Sequence, residues 1–144
     1  MPNLIAREEI KQVLIKYAHA CDQRNWALLD EVFATDVEVN YGGEYQLSGR
    51  DAVVAMIRSM LDGCGPTQHM LGNFSINFDG DLANCSCYVR AAHAGAVAKE
   101  GLLYEVWAEY KDELRCIDDH WLIVKREMQV YNEVGSRDLL GPGR

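Results

Sequence analysis

The sequence predicts an α+β domain in which helices lie over one face of a curved, mainly antiparallel sheet. Three observations carry that expectation. In the first 61 residues the longest apolar stretches repeat at three- and four-residue spacing, as on one side of a helix. From residue 67 onward apolar residues alternate instead, in runs at 67–78, 82–93, 102–114 and 121–131, the period of strands. Asp79-Gly80-Asp81 and Ile117-Asp118-Asp119-His120 are turn sequences between neighbouring runs, so those strands return antiparallel.

Taken in order, residues 8–26 come first. Ile10, Val13, Leu14, Tyr17, Ala18 and Cys21 form one continuous apolar face, and the helix ends between Cys21 and Arg24. Asn25 is placed to cap a second helix over residues 26–33, where Trp26, Leu29 and Phe33 repeat at helical spacing. Residues 36–41 alternate Val37, Val39 and Tyr41 against Asp36, Glu38 and Asn40, and Gly42-Gly43 turns the chain into a short strand through Leu47. Ser48-Gly49-Arg50-Asp51 reads as a capping box for a third helix, whose face is Ala52, Val53, Met56, Ile57, Met60 and Leu61. Gly63, Gly65 and Pro66 end it. The long strands follow, with a looser connection at 94–100.

A chain of 144 residues that is 49% hydrophobic is one domain, set at residues 1–133, with an irregular tail at 134–144 whose Leu139-Leu140 could fold back onto the body. Its net charge of -8 and 14 scattered Lys and Arg residues argue against nucleic-acid binding. No apolar run is long enough for a membrane span. Five cysteines, an odd number without a secretory leader, point to a reduced, cytoplasmic protein. Cys85 and Cys87 share a strand face and read as core packing; no metal site is expected.

Polar residues that fall in phase with apolar ones are the candidates for chemistry. Asp22 lies four residues after Ala18 on the buried side of the first helix, where a carboxylate needs a partner. Arg126 is in phase with Leu122, Val124, Met128 and Val130, which points a guanidinium at the core, toward a carboxylate or a ligand. His93 continues the side of Cys85, Cys87, Val89 and Ala91. Leu102, Tyr104, Val106, Ala108 and Tyr110 share another face. His69 is ambiguous, because it runs with Leu71, Asn73, Ser75 and Asn77, opposite Phe74, Ile76 and Phe78. Either a bulge at Gly72 exchanges the two sides, or the polar side lines a wet cavity while a partner subunit buries the other.

Asp22-Gln-Arg-Asn-Trp26, Asn40-Tyr41, Thr67-Gln-His69 and Ala92-His93 together resemble the scytalone dehydratase family. More broadly the chain is similar to SnoaL-like members of the nuclear-transport-factor-2-like fold, from about Glu8 to Tyr131. The resemblance implies a cone-shaped, strongly curved sheet closed by three N-terminal helices. It implies an Asp–His dyad of His69 as base and Asp22 as its orienting carboxylate, His93 near the leaving hydroxyl, and Tyr41 helping to hold a water. Related dehydratases and dehydrochlorinases look similar at Arg126 and have a proton donor or cation at the position of Tyr17. Cys21 departs from the pattern, standing where the scytalone enzyme has tyrosine, as do Tyr104 and Val106, where that enzyme has polar pocket residues.

The expected activity is a lyase reaction, elimination of water from a small, mostly apolar, ring-containing hydroxy-carbonyl compound without a cofactor. His69 would take the α-proton, Tyr17, Tyr41 or Arg126 would donate to the enolate oxygen, and His93 or a tyrosine would protonate the departing hydroxyl. Trp26, Met56, Leu71, Tyr104 and Arg126 are the expected substrate contacts. The same site could serve dehydrohalogenation or isomerisation, and the fold could equally serve ligand binding or dimerisation. Trp107, among Glu105, Glu109 and Lys111 on an outer face, points to a homo-oligomer, dimer or trimer.

Overall fold

The apolar period of the first helix is filled as its spacing requires. Helix α1 (Pro2–Gln23) starts earlier than residue 8 and buries Ile10, Val13, Leu14, Tyr17, Ala18 and Cys21. In this computed structural model, which describes residues 2–43 and 45–141, the next segment departs from expectation. Trp26–Glu31 is a single 3-10 helix rather than an α-helix, because β1 (Phe33–Asn40) already begins at Phe33 and leaves too few residues for α turns.

Strand β2 (Gln46–Ser48) folds back antiparallel on β1, and α2 (Arg50–Leu61) follows. The expected capping box does not form: Ser48 stays in β2 with its hydroxyl donating to Glu38, and Gly49 takes the N-cap place. At φ +89° Gly49 adopts a backbone that favours glycine, while its N–H reaches the Val37 carbonyl.

Strands β3 (Cys64–Asp79), β4 (Leu82–Gly95), β5 (Leu103–Ile117) and β6 (His120–Gly135) form the expected antiparallel meander. β6 then pairs in parallel with β1, so the six-stranded sheet is mixed, in the order β2-β1-β6-β5-β4-β3, and is not closed into a barrel. Cys85 and Cys87 fill the inner face of β4, and burial pushes both thiols up to about 12, which leaves them as packing groups.

From residue 134 to 141 the chain packs back toward the body. Gly135 sits at φ +91° with its Cα so near the Leu103 carbonyl that a Cβ would collide with it. The chain turns there into the 3-10 helix Arg137–Leu139, and Leu139 is fully buried. No helix is long and apolar enough to cross a membrane among the described residues.

Candidate active site

The ambiguity at His69 is resolved by backbone geometry. Between the pairs Gly72↔Tyr88 and Ser75↔Ser86, β3 spends two residues, Asn73 and Phe74, against Cys87 alone. Asn73 carries the positive φ, +54°, of this bulge. The extra residue exchanges the two sides: His69 and Leu71 lie opposite inward Ala91 and Val89, and beyond the bulge Ile76 lies opposite inward Cys85. Phe74 and Phe78 pack under α1, where Lys11 and Arg7 lie over their rings, so no partner subunit is needed to cover them.

With His69 inward, the end of α1 meets it. Its Nδ1–H donates to Asp22 Oδ1 at 2.7 Å, and its backbone N–H donates to Asp22 Oδ2 at 2.9 Å. The Thr67 hydroxyl donates to the same carboxylate at 3.0 Å. Burial pushes the Asp22 carboxyl up, but these three donors together hold it below its ordinary value. A ring whose Nδ1 bears the proton presents a bare Nε2, and that edge has no hydrogen-bond partner among the described residues.

Arg24 is the residue that sequence reasoning missed here. It ends α1 at φ +54°, with Asn25 N–H reaching back to the Ala20 carbonyl, a position that glycine ordinarily takes. Its guanidinium repays the conformation by donating to the carbonyls of Cys21, Leu61 and Gly65 and to the Thr67 hydroxyl. This one side chain ties α1, α2 and β3 together beside Asp22. Arg24→Ala should destabilise the chain by about 2 kcal/mol, from charged hydrogen bonds lost, in urea unfolding; an unchanged midpoint would remove this role.

His93 is buried, with Nδ1–H donating to the Tyr104 carbonyl at 3.1 Å. Its ring centroid lies 5.7 Å from that of His69. Burial is the main cause that lowers its pKa, only partly opposed by the Tyr104 bond. The sign for stability follows. Below the ordinary value of 6.5 the unfolded chain binds a proton that the folded His93 refuses, so stability falls as the pH drops through that range. Asp22 adds a second loss as its carboxylate is protonated below 3.8. Melting temperatures across pH should show the first step in the wild type and not in His93→Phe.

Opposite the histidines, the Tyr17 and Tyr41 hydroxyls share a hydrogen bond of 2.9 Å. Burial raises both phenols, against the opposing charge of Arg126, so they remain neutral at physiological pH. Arg126 itself is not a cavity-lining residue. It is 1% exposed and held in a fork by Asp112, with two bonds of 2.7 Å, and its Cζ lies 4.4 and 3.9 Å from the Tyr17 and Tyr110 ring centroids. The expected substrate contact is thus a buried ion pair behind the tyrosines. The parity that flagged Arg126 also flags Asp112, two residues beyond Tyr110 on the same face.

The space between these side chains is an open-mouthed pocket of about 640 Å³. Tyr17, Tyr41, His69, His93, Tyr104 and Met56 line it, within walls that include Met60, Val89 and Met128. Asp22 stands behind His69. Trp26 and Leu71 are not among the lining residues: Trp26 donates to Asp62 from its indole N–H, and Leu71 packs against the core. The tail contributes unexpectedly, with Arg137 and Leu140 at the wall beside Glu133 of β6, to which the Tyr104 hydroxyl donates. Among the described residues no cluster of three His, Cys, Asp or Glu side chains could hold a metal.

The model of the SnoaL-like domain family matches residues 2–127. An uncharacterized protein of Mycobacterium tuberculosis is 35% identical over 123 residues, 83% of this chain and 82% of its own. Among solved structures, a candidate scytalone dehydratase from Novosphingobium aromaticivorans is 25% identical with a TM-score of 0.85, over 99% of this chain and 96% of its own. A hexachlorocyclohexane dehydrochlorinase, LinA-type3 from Novosphingobium barchaimii, shares the fold at TM-score 0.81 and 16% identity, over 93% of this chain and 92% of its own.

Proposed function

The chain belongs to the SnoaL-like domain family, and on that premise we propose that it is a carbon–oxygen lyase that eliminates water from a small, mostly apolar, ring-containing hydroxy-carbonyl compound. The observation that carries this reading is the bond between His69 Nδ1 and Asp22 at the wall of an apolar cavity. A carboxylate that accepts Nδ1–H fixes the tautomer and stabilises the imidazolium formed when Nε2 takes a proton. His69 is therefore the base for the α-proton. The Tyr17–Tyr41 pair, kept neutral by burial, supplies a hydrogen bond to the oxygen on which enolate charge develops.

The atoms balance without a cofactor. The α C–H proton goes to His69 Nε2, the C–O bond breaks as the C=C bond forms, and the departing oxygen takes the proton back from His69 as water. The likeness to the dehydrochlorinase is one of fold and lends no weight to halide as the leaving group. Exposed Tyr88, Trp107 and Tyr131 support self-association through the outer sheet face.

The test uses racemic 4-hydroxy-4-phenylbutan-2-one in deuterated buffer. The wild-type chain should exchange its α-hydrogens and release the conjugated enone, read by NMR and absorbance. Absence of both across a panel of aryl and cyclic β-hydroxy ketones would leave a ligand-binding module as the better reading.

A further inference from the structure

Thr67 and His69 stand two residues apart on the same side of β3, opposite His93 and Ala91 of β4, so a hydroxyl and an imidazole reach one carboxylate, that of Asp22. The hydroxyl is not free to turn. Arg24 Nη1 donates to the Thr67 oxygen at 2.8 Å, and a guanidinium only donates, so that oxygen is the acceptor and its single hydrogen is left for Asp22 Oδ1 at 3.0 Å. Each hydrogen from Arg24 through Thr67 to Asp22 therefore has one direction.

We propose that Thr67 is a positioning residue for the dyad, relaying the Arg24 cation to Asp22 so that the carboxylate stays charged and keeps Oδ1 directed at the His69 Nδ1–H. This deepens the elimination reading and rests on its base, His69. Thr67 itself touches no reacting atom.

A hydroxyl whose oxygen accepts from a cation is a stronger donor than a free one, because each bond polarises the next. The relay also keeps the two charges apart. Asp22 forms its ion pair with His69 and none with Arg24 among the described residues, whereas a guanidinium fork on the same oxygens would compete with the imidazole. The carboxylate cannot rotate away: the His69 backbone N–H holds Oδ2, while Thr67 and the imidazole hold Oδ1. The other titratable groups about the dyad are Tyr17 and Cys21 on α1 and His93 on β4. Burial pushes the phenol up, the thiol up to about 12 and the imidazole down, so all three are neutral at physiological pH and Arg24 is the charge left to relay.

The test on the full chain separates this relay from the fastening role of Arg24. Thr67→Val removes the hydroxyl with little change of shape, while Arg24 keeps its bonds to the Cys21, Leu61 and Gly65 carbonyls. Carbon NMR of the labelled Asp22 carboxyl, without any substrate, should show it titrating at a higher pH than in the wild type, since a donor to its charged form is gone. With 4-hydroxy-4-phenylbutan-2-one, kcat should fall about tenfold while KM stays within about twofold. Thr67→Ser, which restores a hydroxyl, should recover both readouts. Arg24→Gln should also raise the pH at which Asp22 titrates, but should raise it no further in the Thr67→Val background. An Asp22 titration or a kcat unchanged by Thr67→Val, or an equal effect of Arg24→Gln with and without the hydroxyl, would overturn the relay. If the wild type exchanges no α-hydrogen while the carboxyl responds as stated, the elimination reading falls and the relay to the dyad stands.

Discussion

His69→Asn is expected to slow α-hydrogen exchange and elimination by about 10²–10⁴-fold, the range ascribed to a positioned general base. The substitution is informative because it is nearly isosteric at the bonded edge. The Asn amide can still donate to Asp22, and the backbone N–H at 69 keeps its own bond to that carboxylate, so the start of β3 should stay anchored. Stability should consequently move little while the rate collapses, with the loss appearing in kcat more than in KM. A variant that retains wild-type exchange would place the base elsewhere. Asp22→Asn should also reduce the rate, by removing the acceptor that fixes the Nδ1–H tautomer.

The largest stability effect is expected at Asp112. Asp112→Ala leaves the Arg126 guanidinium buried without its counter-charge, and breaking a buried pair in this way costs about 3–5 kcal/mol. Calorimetry should register it as a fall in melting temperature of roughly 10 °C. Replacing both residues, Asp112→Leu with Arg126→Met, should recover most of that loss, since two apolar side chains of similar volume need no desolvation. The double variant should still be catalytically weak. The cation stacked against Tyr17 and Tyr110 also lowers the energy of developing negative charge near the phenols, and its removal leaves burial unopposed. Full activity in the refolded double variant would reduce the ion pair to a purely structural element.

Legibility from sequence followed the reach of each physical signal. The period of α1, the alternation of β3–β6 and the turn residues between strands act over a few neighbours, and the meander and first helix are as those signals predict. The 3-10 helix at Trp26–Glu31 was not legible, because helical spacing over six residues does not distinguish α from 3-10 when the following strand limits the length. Nor was the parallel pairing of β1 with β6, in which Phe33 lies beside Ile123 across more than half the length of the chain.

For the site, residue type and period singled out Asp22, His93 and Arg126, although a bulge at Val124 sets Arg126 on the inner side with Trp121 and Ile123 rather than with Leu122 and Val124, and resemblance added the pairing of Asp22 with His69. What the sequence by itself determined is which side chains would need a partner, since alternation and helical period are local rules of backbone geometry. Which partner each received was decided by tertiary structure alone. The bulge at Asn73 turns His69 inward, the adjacency of β5 and β6 gives Arg126 to Asp112 rather than to a ligand, and the Tyr104 carbonyl opposite His93 makes that ring an acceptor. The reason is physical: burial raises the cost of every unpaired polar group, but only the assembled fold fixes which donor and acceptor are close enough to relieve it.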